Sequence, residues 1–214
     1  MKFLIINADD FGYSKIFNEK ILNLIESNMI SSTTVMANQI NQNQQSQIEK
    51  LIELAKSHNI SIGLHLEFSN NSFELETKKQ FDKFISIFKF KPSHIDIHRY
   101  TDFEESVPFV HEFCKQNNLP CRNHNDDASG ILTTKNEVFV GTEKSFEELQ
   151  QWICNLNDNE SYEVLFHPGS YDPNSKSVLN KDRKLDFENI KKINPFLLKN
   201  DIKLITYFDL AKIQ

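Results

Sequence analysis

Two adjacent carboxylates follow the first apolar run of the chain, where they could take part in metal-assisted chemistry. Asp9 and Asp10 come directly after the run from Phe3 to Ile6 and precede Gly12. Side chains alternate along a regular strand, so the two acids point in different directions if the strand stays regular. One carboxylate could then bind a metal ion while its neighbour meets the metal-bound water. The alternative is an ordinary turn, in which Asp and Gly are common.

A histidine ends a second, cleanly alternating segment. Aliphatic residues alternate with small or polar ones over residues 60–66, and His65 lies on the side away from the aliphatic face. In a barrel the aliphatic face meets the helices, which turns His65 inward near the carboxyl end of its strand. The alternative is a core histidine that is hydrogen-bonded to a backbone carbonyl.

Three polar groups at a spacing of two share one face of the segment His94-Ile95-Asp96-Ile97-His98. At roughly 3.3 Å per residue, His94 and His98 lie about 13 Å apart in an unbroken strand, so one metal cannot take both. Parallel barrels carry their chemistry at the carboxyl ends of the strands, which selects His98 as the ligand. Asp96, one layer below, is expected to fix the tautomer of an imidazole. The alternative is a buried polar network without a metal.

His167 ends another apolar run and is followed by Pro168 and Gly169. Proline restricts the backbone of His167, and glycine lets the chain turn away. This histidine is interpreted as a third ligand or a general acid, or else as part of an ordinary exit from a strand. His58 and His111 are predicted to lie on the surface, and His124 has no comparable context.

The elements that must position these groups alternate along the chain. Apolar runs predict seven strands, near residues 2–8, 31–37, 59–66, 93–98, 119–123, 162–167 and 203–207. Helical spacing of apolar residues predicts six helices, over residues 18–27, 48–57, 80–88, 107–117, 145–156 and 187–199. Such βα alternation indicates an α/β fold, a deformed, incomplete TIM-like barrel that forms a single domain over residues 1–214. All four polar segments then lie at the carboxyl ends of strands.

Composition excludes several classes of protein. The net charge of −6 and the pI near 5.7 disfavour a nucleic-acid partner. No stretch is apolar enough to span a membrane, and no signal peptide is recognisable. Three cysteines, Cys114, Cys121 and Cys154, lack paired or metal-site spacing. They are expected to be reduced, packed residues of a cytoplasmic protein.

Eight motifs, in order along nearly the whole chain, resemble the YdjC-like carbohydrate deacetylase family, which includes chitooligosaccharide deacetylases. They are Asn-Ala-Asp-Asp-Phe-Gly at 7–12, Asn18, Ser-Thr-Thr at 32–34 with Met36 and Asn38, Gly-Leu-His-Leu at 63–66, His-Ile-Asp-Ile-His at 94–98, Leu-Pro-Cys-Arg at 119–122, His-Pro-Gly at 167–169 and Thr-Tyr-Phe-Asp-Leu at 206–210.

The resemblance implies a deformed seven-stranded β/α barrel and removal of acetyl groups from an N-acetylated mono- or oligosaccharide. It also implies a divalent metal ion bound by Asp10, His65 and His98, with Asp9 as catalytic base and His167 as catalytic acid. That chemistry is coherent, because a metal acidifies its water and polarises the amide oxygen while a base takes the proton.

Several alternatives stay open at this point. Arg122 is interpreted as a cation that orients Asp9, or as part of a surface salt bridge. Two imidazoles and one carboxylate suit Zn²⁺ by ligand type, whereas the resemblance suggests Mg²⁺. The chain could also be a metallohydrolase of a different amide or ester bond, or a sugar-binding relative without catalysis.

One departure from the family concerns the segment between the second and third histidine motifs. Only Glu67 to Ser93 intervenes here, and family members generally carry a longer insertion. That segment often shapes the substrate cleft and the subunit contact. Chain-length preference and the formation of a homodimer are therefore left open.

Overall fold

The computed structural model of the chain describes residues 1–124, 130–136 and 138–213. Within these ranges seven strands form one sheet: β1 Lys2–Phe11, β2 Ser32–Val35, β3 Ser61–Leu66, β4 Ile95–Ile97, β5 Phe139–Val140, β6 Ser161–Phe166 and β7 Ile202–Leu204. Six α-helices occur in the same ranges: α1 Lys15–Glu26, α2 Gln45–Ser57, α3 Phe73–Phe88, α4 Val107–Asn117, α5 Phe146–Cys154 and α6 Arg183–Lys199.

Strand β1 lies in the middle of a parallel sheet with the order β4-β3-β2-β1-β6-β5. It pairs with β6 over Phe3–Ala8, and its first residues pair with β7. The sheet curls into a half-barrel with flanking helices, so the predicted α/β barrel is confirmed. Because the strands are parallel, their carboxyl ends meet at one edge, where the polar segments of the sequence end.

The core lies between this sheet and the apolar faces of the helices. Leu4, Ile6 and Ala8 of β1 are fully buried, as are Phe17 and Ile21 of α1. Burying one such large aliphatic or aromatic side chain stabilises the fold by about 1.5–3 kcal/mol. Helix α1 begins after Ser14, whose side chain accepts a hydrogen bond from the backbone of Ile16. The apolar periodicity gives α1 its buried face, and this cap sets where α1 begins, shortly after the strand that carries Asp9 and Asp10.

The fifth predicted strand is wrong. Residues 119–123 form only one parallel bridge, between Cys121 and Ile95, because Pro120 lacks the N–H that a regular ladder needs. The fifth strand of the sheet is instead Phe139–Val140, which pairs with Val164 and Leu165 of β6. Two residues are too short to produce a recognisable alternation, so sequence reasoning missed this strand.

Two smaller expectations also differ from the structure. The sequence predicts an exposed His111, but this residue is buried on α4, together with Val110 and Cys114. Cys114 and Cys121 are buried free thiols, as expected, whereas Cys154 is exposed at the end of α5. Across the described ranges, no helix combines the length and the apolar character that crossing a bilayer requires.

Candidate functional site

An irregularity at the end of β1 turns both adjacent carboxylates toward one cavity. The register between β1 and β2 shifts between Ala8 and Phe11, and Asp10 takes a left-handed backbone conformation with φ of 72°. The alternation expected of a regular strand therefore does not apply. Asp9 and Asp10 both line a cavity of about 530 Å³ at the carboxyl edge of the sheet. A left-handed Asp is uncommon and costs backbone strain, which is typical of a functional position.

Asp10, His65 and His98 converge on one point at the floor of this cavity. Asp10 Oδ1 lies 3.4 Å from His65 Nε2 and 3.5 Å from His98 Nδ1, and the two imidazole nitrogens are 3.1 Å apart. Ligands that surround one ion at 2.0–2.2 Å are separated from each other by about 2.8–3.6 Å. Asp10 Oδ1 is buried and accepts no hydrogen bond from a described residue. The donor set and its spacing therefore fit a divalent cation.

Negative charge surrounds His65 on both sides of its ring. Its Nδ1 lies 2.6 Å from Asp96 Oδ2, which leaves Nε2 to face Asp10. Burial alone lowers the pKa of His65, but the nearby carboxylates of Asp9, Asp96 and Asp10 outweigh it and raise the pKa to about 10. A field that holds a proton on His65 so strongly also favours a metal cation in that place.

A buried arginine holds Asp9. Arg122 Nη1 donates to Asp9 Oδ2 and Arg122 Nη2 donates to Asp9 Oδ1, both at 2.9 Å. Burial alone raises the pKa of the Asp9 carboxyl, but the charges of Arg122 and His65 and the hydrogen bonds from Arg122 together outweigh burial, and the pKa lies below its ordinary value. Arg122 is 2% exposed and also binds Asp96 and Glu163. It is therefore not part of a surface salt bridge, the alternative that the sequence left open.

His167 lies on the other side of Asp9, with Nε2 at 3.9 Å from Asp9 Oδ2. Its Nδ1 is 2.9 Å from the hydroxyl of Thr142, and that hydroxyl donates to Asp186 Oδ2 at 2.6 Å. Because the hydroxyl proton goes to Asp186, the hydroxyl oxygen accepts from Nδ1–H of His167, which leaves Nε2 toward the cavity. Asp186 Oδ2 also accepts from the backbone N–H of His167 at 2.7 Å. Burial lowers the pKa of His167 and raises the pKa of Asp186.

The walls of the cavity are mostly apolar and aromatic. They include Tyr13, Ile97, Tyr100, Val140 and Leu165, with Lys176 at the mouth. A concave apolar pocket with a few convergent polar groups is typical of a small-molecule site.

The structure thus brings together all seven residues that the sequence proposed for the site: Asp9, Asp10, His65, Asp96, His98, Arg122 and His167. Sequence reasoning missed four others. His124 lines the cavity, with Nε2 at 3.0 Å from Asp96 Oδ1, and stacks on Tyr100. Thr142, Asp186 and Arg183 contact site residues from distant loops and from helix α6.

No local pattern distinguished the missed residues. Arg183 lies in the charged stretch from Lys181 to Lys184, a pattern that is typical of the exposed start of a helix. It is nevertheless fully buried, and its Nη2 donates to Asp10 Oδ2 at 2.6 Å across 173 positions of sequence. Only the tertiary fold reveals such a pair.

The half-barrel and its edge of acids and histidines define an α/β-barrel protein with a candidate metal centre at the carboxyl ends of its strands. The family model described as "YdjC-like protein" matches residues 3–75 and 67–194. The chain belongs to the YdjC-like family, as the sequence motifs indicated.

Relatives that carry deacetylase names align over most of the chain. A carbohydrate deacetylase of Clostridium beijerinckii is 28% identical in an alignment that covers 97% of this chain and 99% of the relative. A chitooligosaccharide deacetylase of Yersinia enterocolitica is 24% identical in an alignment that covers 80% of this chain and 83% of the relative.

Solved structures share the fold. A candidate cellobiose-phosphate cleavage protein of Enterococcus faecalis superimposes with a TM-score of 0.79 at 20% identity, over 98% of both chains. A family 4 acetyl xylan esterase of Clostridium thermocellum, solved with a cobalt ion, superimposes with a TM-score of 0.62 at 11% identity. The superposition covers 99% of this chain and 91% of the esterase chain. At these identities the likeness concerns the fold alone.

Proposed function

We propose that this protein is a metal-dependent hydrolase that removes acetyl groups from N-acetylated carbohydrates. The observation that carries the proposal is the convergence of Asp10, His65 and His98 between Asp9 and His167. The two relatives named above as deacetylases support the same reaction. A bound divalent cation would be held by the three convergent residues and would supply a positive charge that acidifies water and polarises the acetyl carbonyl.

In this proposal Asp9 acts as the general base through one of its two oxygens. Asp9 Oδ1 already accepts hydrogen bonds from Asn7, Thr34 and Arg122, at 2.6, 2.6 and 2.9 Å. Asp9 Oδ2 accepts only from Arg122 among the described residues, and it faces His167. Oδ2 therefore has a free lone pair for the proton of the attacking water. The lowered pKa keeps this carboxylate ionised at neutral pH, as a base requires.

In the same proposal His167 acts as the general acid through Nε2. Thr142 occupies Nδ1, so the proton that His167 gains and loses is the one on Nε2. Burial lowers the pKa of His167, which makes its imidazolium a better proton donor. As the carbon–nitrogen bond of the amide breaks, Nε2 gives its proton to the departing amine, and acetate and a free amino sugar result.

The dimensions of the cavity favour a small substrate. About 530 Å³ is within the range of roughly 300–1,000 Å³ that is typical of small-molecule pockets. Tyr13 and Tyr100 offer aromatic surface to a sugar ring. We therefore propose an acetylated mono- or oligosaccharide as substrate. We propose two metals, Zn²⁺ by ligand type and Mg²⁺ by family resemblance. The formation of a homodimer, a cytoplasmic location and a single domain over residues 1–214 stay predictions.

The proposal is tested by measuring acetate release from diacetylchitobiose with each metal supplied. Wild type should release acetate. Asp9→Asn keeps the size of the side chain but removes the base, so it should lose at least about 100-fold in rate while it still binds the metal. Equal rates for both proteins would refute the role of Asp9. Sugar binding without acetate release would favour the sugar-binding alternative, and turnover of an acetyl ester alone would favour a hydrolase of another bond.

A further inference from the structure

The two oxygens of Asp10 have separate environments. Oδ1 faces His65 and His98 and accepts no hydrogen bond from a described residue. Oδ2 accepts a hydrogen bond from Arg183 Nη2 at 2.6 Å. A free carboxylate can offer a cation one oxygen or both. Here a guanidinium occupies one of them.

Arg183 is built into the interior. Its guanidinium carbon lies 3.8 Å from the centre of the Phe17 ring, and its exposed fraction is 0%. Within the described ranges, Asp10 is the one carboxylate within salt-bridge distance of Arg183. Its Nε and Nη1 are buried without a hydrogen-bond acceptor among those residues. Burying a cation with so few partners costs free energy, and an apolar side chain of similar size would fill the same space without that cost.

The His-Pro-Gly motif makes room for Arg183. A Cβ added at Gly169 would lie 2.9 Å from the ring of Phe17 and 3.0 Å from Cδ of Arg183. The backbone N–H of Gly169 also donates to the carbonyl of Arg183 at 3.1 Å. The loop that carries His167 and the first turn of α6 are thereby locked together, which fixes the direction of the guanidinium toward Asp10.

We propose that Arg183 is a positioning residue that holds Asp10 Oδ2 and so presents Oδ1 alone to the metal site. The short, charge-assisted bond sets the rotation of a carboxylate whose backbone is already in an uncommon conformation. Lysine would replace it only in part, because an ammonium is a point charge on a flexible stem, whereas the planar guanidinium is held against the ring of Phe17. The inference rests on the proposed function, since it requires Asp10 to be a metal ligand.

The test measures the dissociation constant of Zn²⁺ by chelator competition, on full-length protein freed of metal. Arg183→Met keeps the packing on Phe17 but removes the bond to Asp10, and it should weaken Zn²⁺ binding by about 10- to 100-fold. Arg183→Lys should also weaken it, by a smaller factor. Ser177→Ala is the matched control, because it removes the other hydrogen bond of Arg183 Nη2, at 3.0 Å, and leaves Asp10 in place. It should bind Zn²⁺ within about twofold of wild type.

Failures of the two proposals give different results. If wild type binds neither Zn²⁺ nor Mg²⁺, the metal site itself is wrong. If wild type binds and Arg183→Met binds equally well, the positioning role is wrong. The absorption spectrum of Co²⁺-loaded protein adds a second readout. A carboxylate free to use both oxygens should change the coordination number in Arg183→Met, and an unchanged spectrum would contradict the proposal.

Discussion

Arg122 and Asp9 form a buried bidentate ion pair beside the cavity. Two parallel hydrogen bonds of 2.9 Å join them, and each residue is 2% exposed. Such a fork fixes the plane of the carboxylate as well as its charge. The orientation of the proposed base is therefore set by a residue 113 positions away.

Replacing Arg122 by lysine should shift the acid limb of the pH–rate profile. Lysine keeps a positive charge but not the bidentate geometry, so the pKa of Asp9 should rise toward its ordinary value. A base with a higher pKa is protonated at higher pH, so the acid limb of kcat/KM should move up by about 1 pH unit. Glu163→Gln is the control, since it alters another partner of Arg122 and leaves both bonds to Asp9. An unchanged acid limb in Arg122→Lys would contradict this coupling.

Thr142 should control which nitrogen of His167 carries the exchangeable proton. Thr142→Val removes the acceptor for Nδ1–H while it keeps the shape of the side chain. The tautomer is then no longer fixed, so kcat should fall by about 10- to 100-fold with little change in KM. Thr142→Ser retains the hydroxyl and should stay close to wild type. The tautomer itself can be read from the ¹⁵N chemical shifts of His167, and an unaltered tautomer in Thr142→Val would refute the assignment.

Metal affinity should rise with pH. In the metal-free protein the pKa of His65 is raised from 6.5 to about 10, so its contribution to stability is full below pH 6.5 and is lost as the pH rises toward 10. A metal must displace that proton, so each pH unit in this range should tighten binding by up to about tenfold. Calorimetry in buffers of different ionisation enthalpy should detect about one proton released per ion at pH 7. Binding without proton release would show that His65 is already neutral.

The sequence predicted the fold and the centre of the site because both depend on local patterns. Apolar runs followed by acids or histidines indicated strand ends, and parallel strands bring those ends to one edge. The residues that support the centre left no such pattern. Asp186 and Arg183 lie on α6, more than 170 positions from the acids of β1, and their hydrophilic character is typical of an exposed helix. Strand β5 was missed because two residues cannot show an alternation.

Gly63 is required because the ring of His94 lies where its side chain would be. A Cβ at position 63 would lie 2.4 Å from His94 Cε1. The ring cannot move away, because Tyr207 stacks on it with centroids 3.6 Å apart and His94 is fully buried. Gly63→Ala should therefore lower the free energy of unfolding by about 3 kcal/mol, as measured in urea.

The double variant distinguishes this overlap from a general weakening of β3. His94→Ala alone should also destabilise the protein, because it leaves a cavity beside Tyr207. In Gly63→Ala/His94→Ala the new methyl group fills part of that cavity, so the combined cost should be at least about 2 kcal/mol less than the sum of the single costs. Additive costs would mean that the ring does not limit position 63.

The same steric overlap should also affect the metal site, because His65 follows Gly63 by two residues on the same strand. Gly63→Ala should therefore weaken Zn²⁺ binding, and the double variant with His94→Ala should restore it.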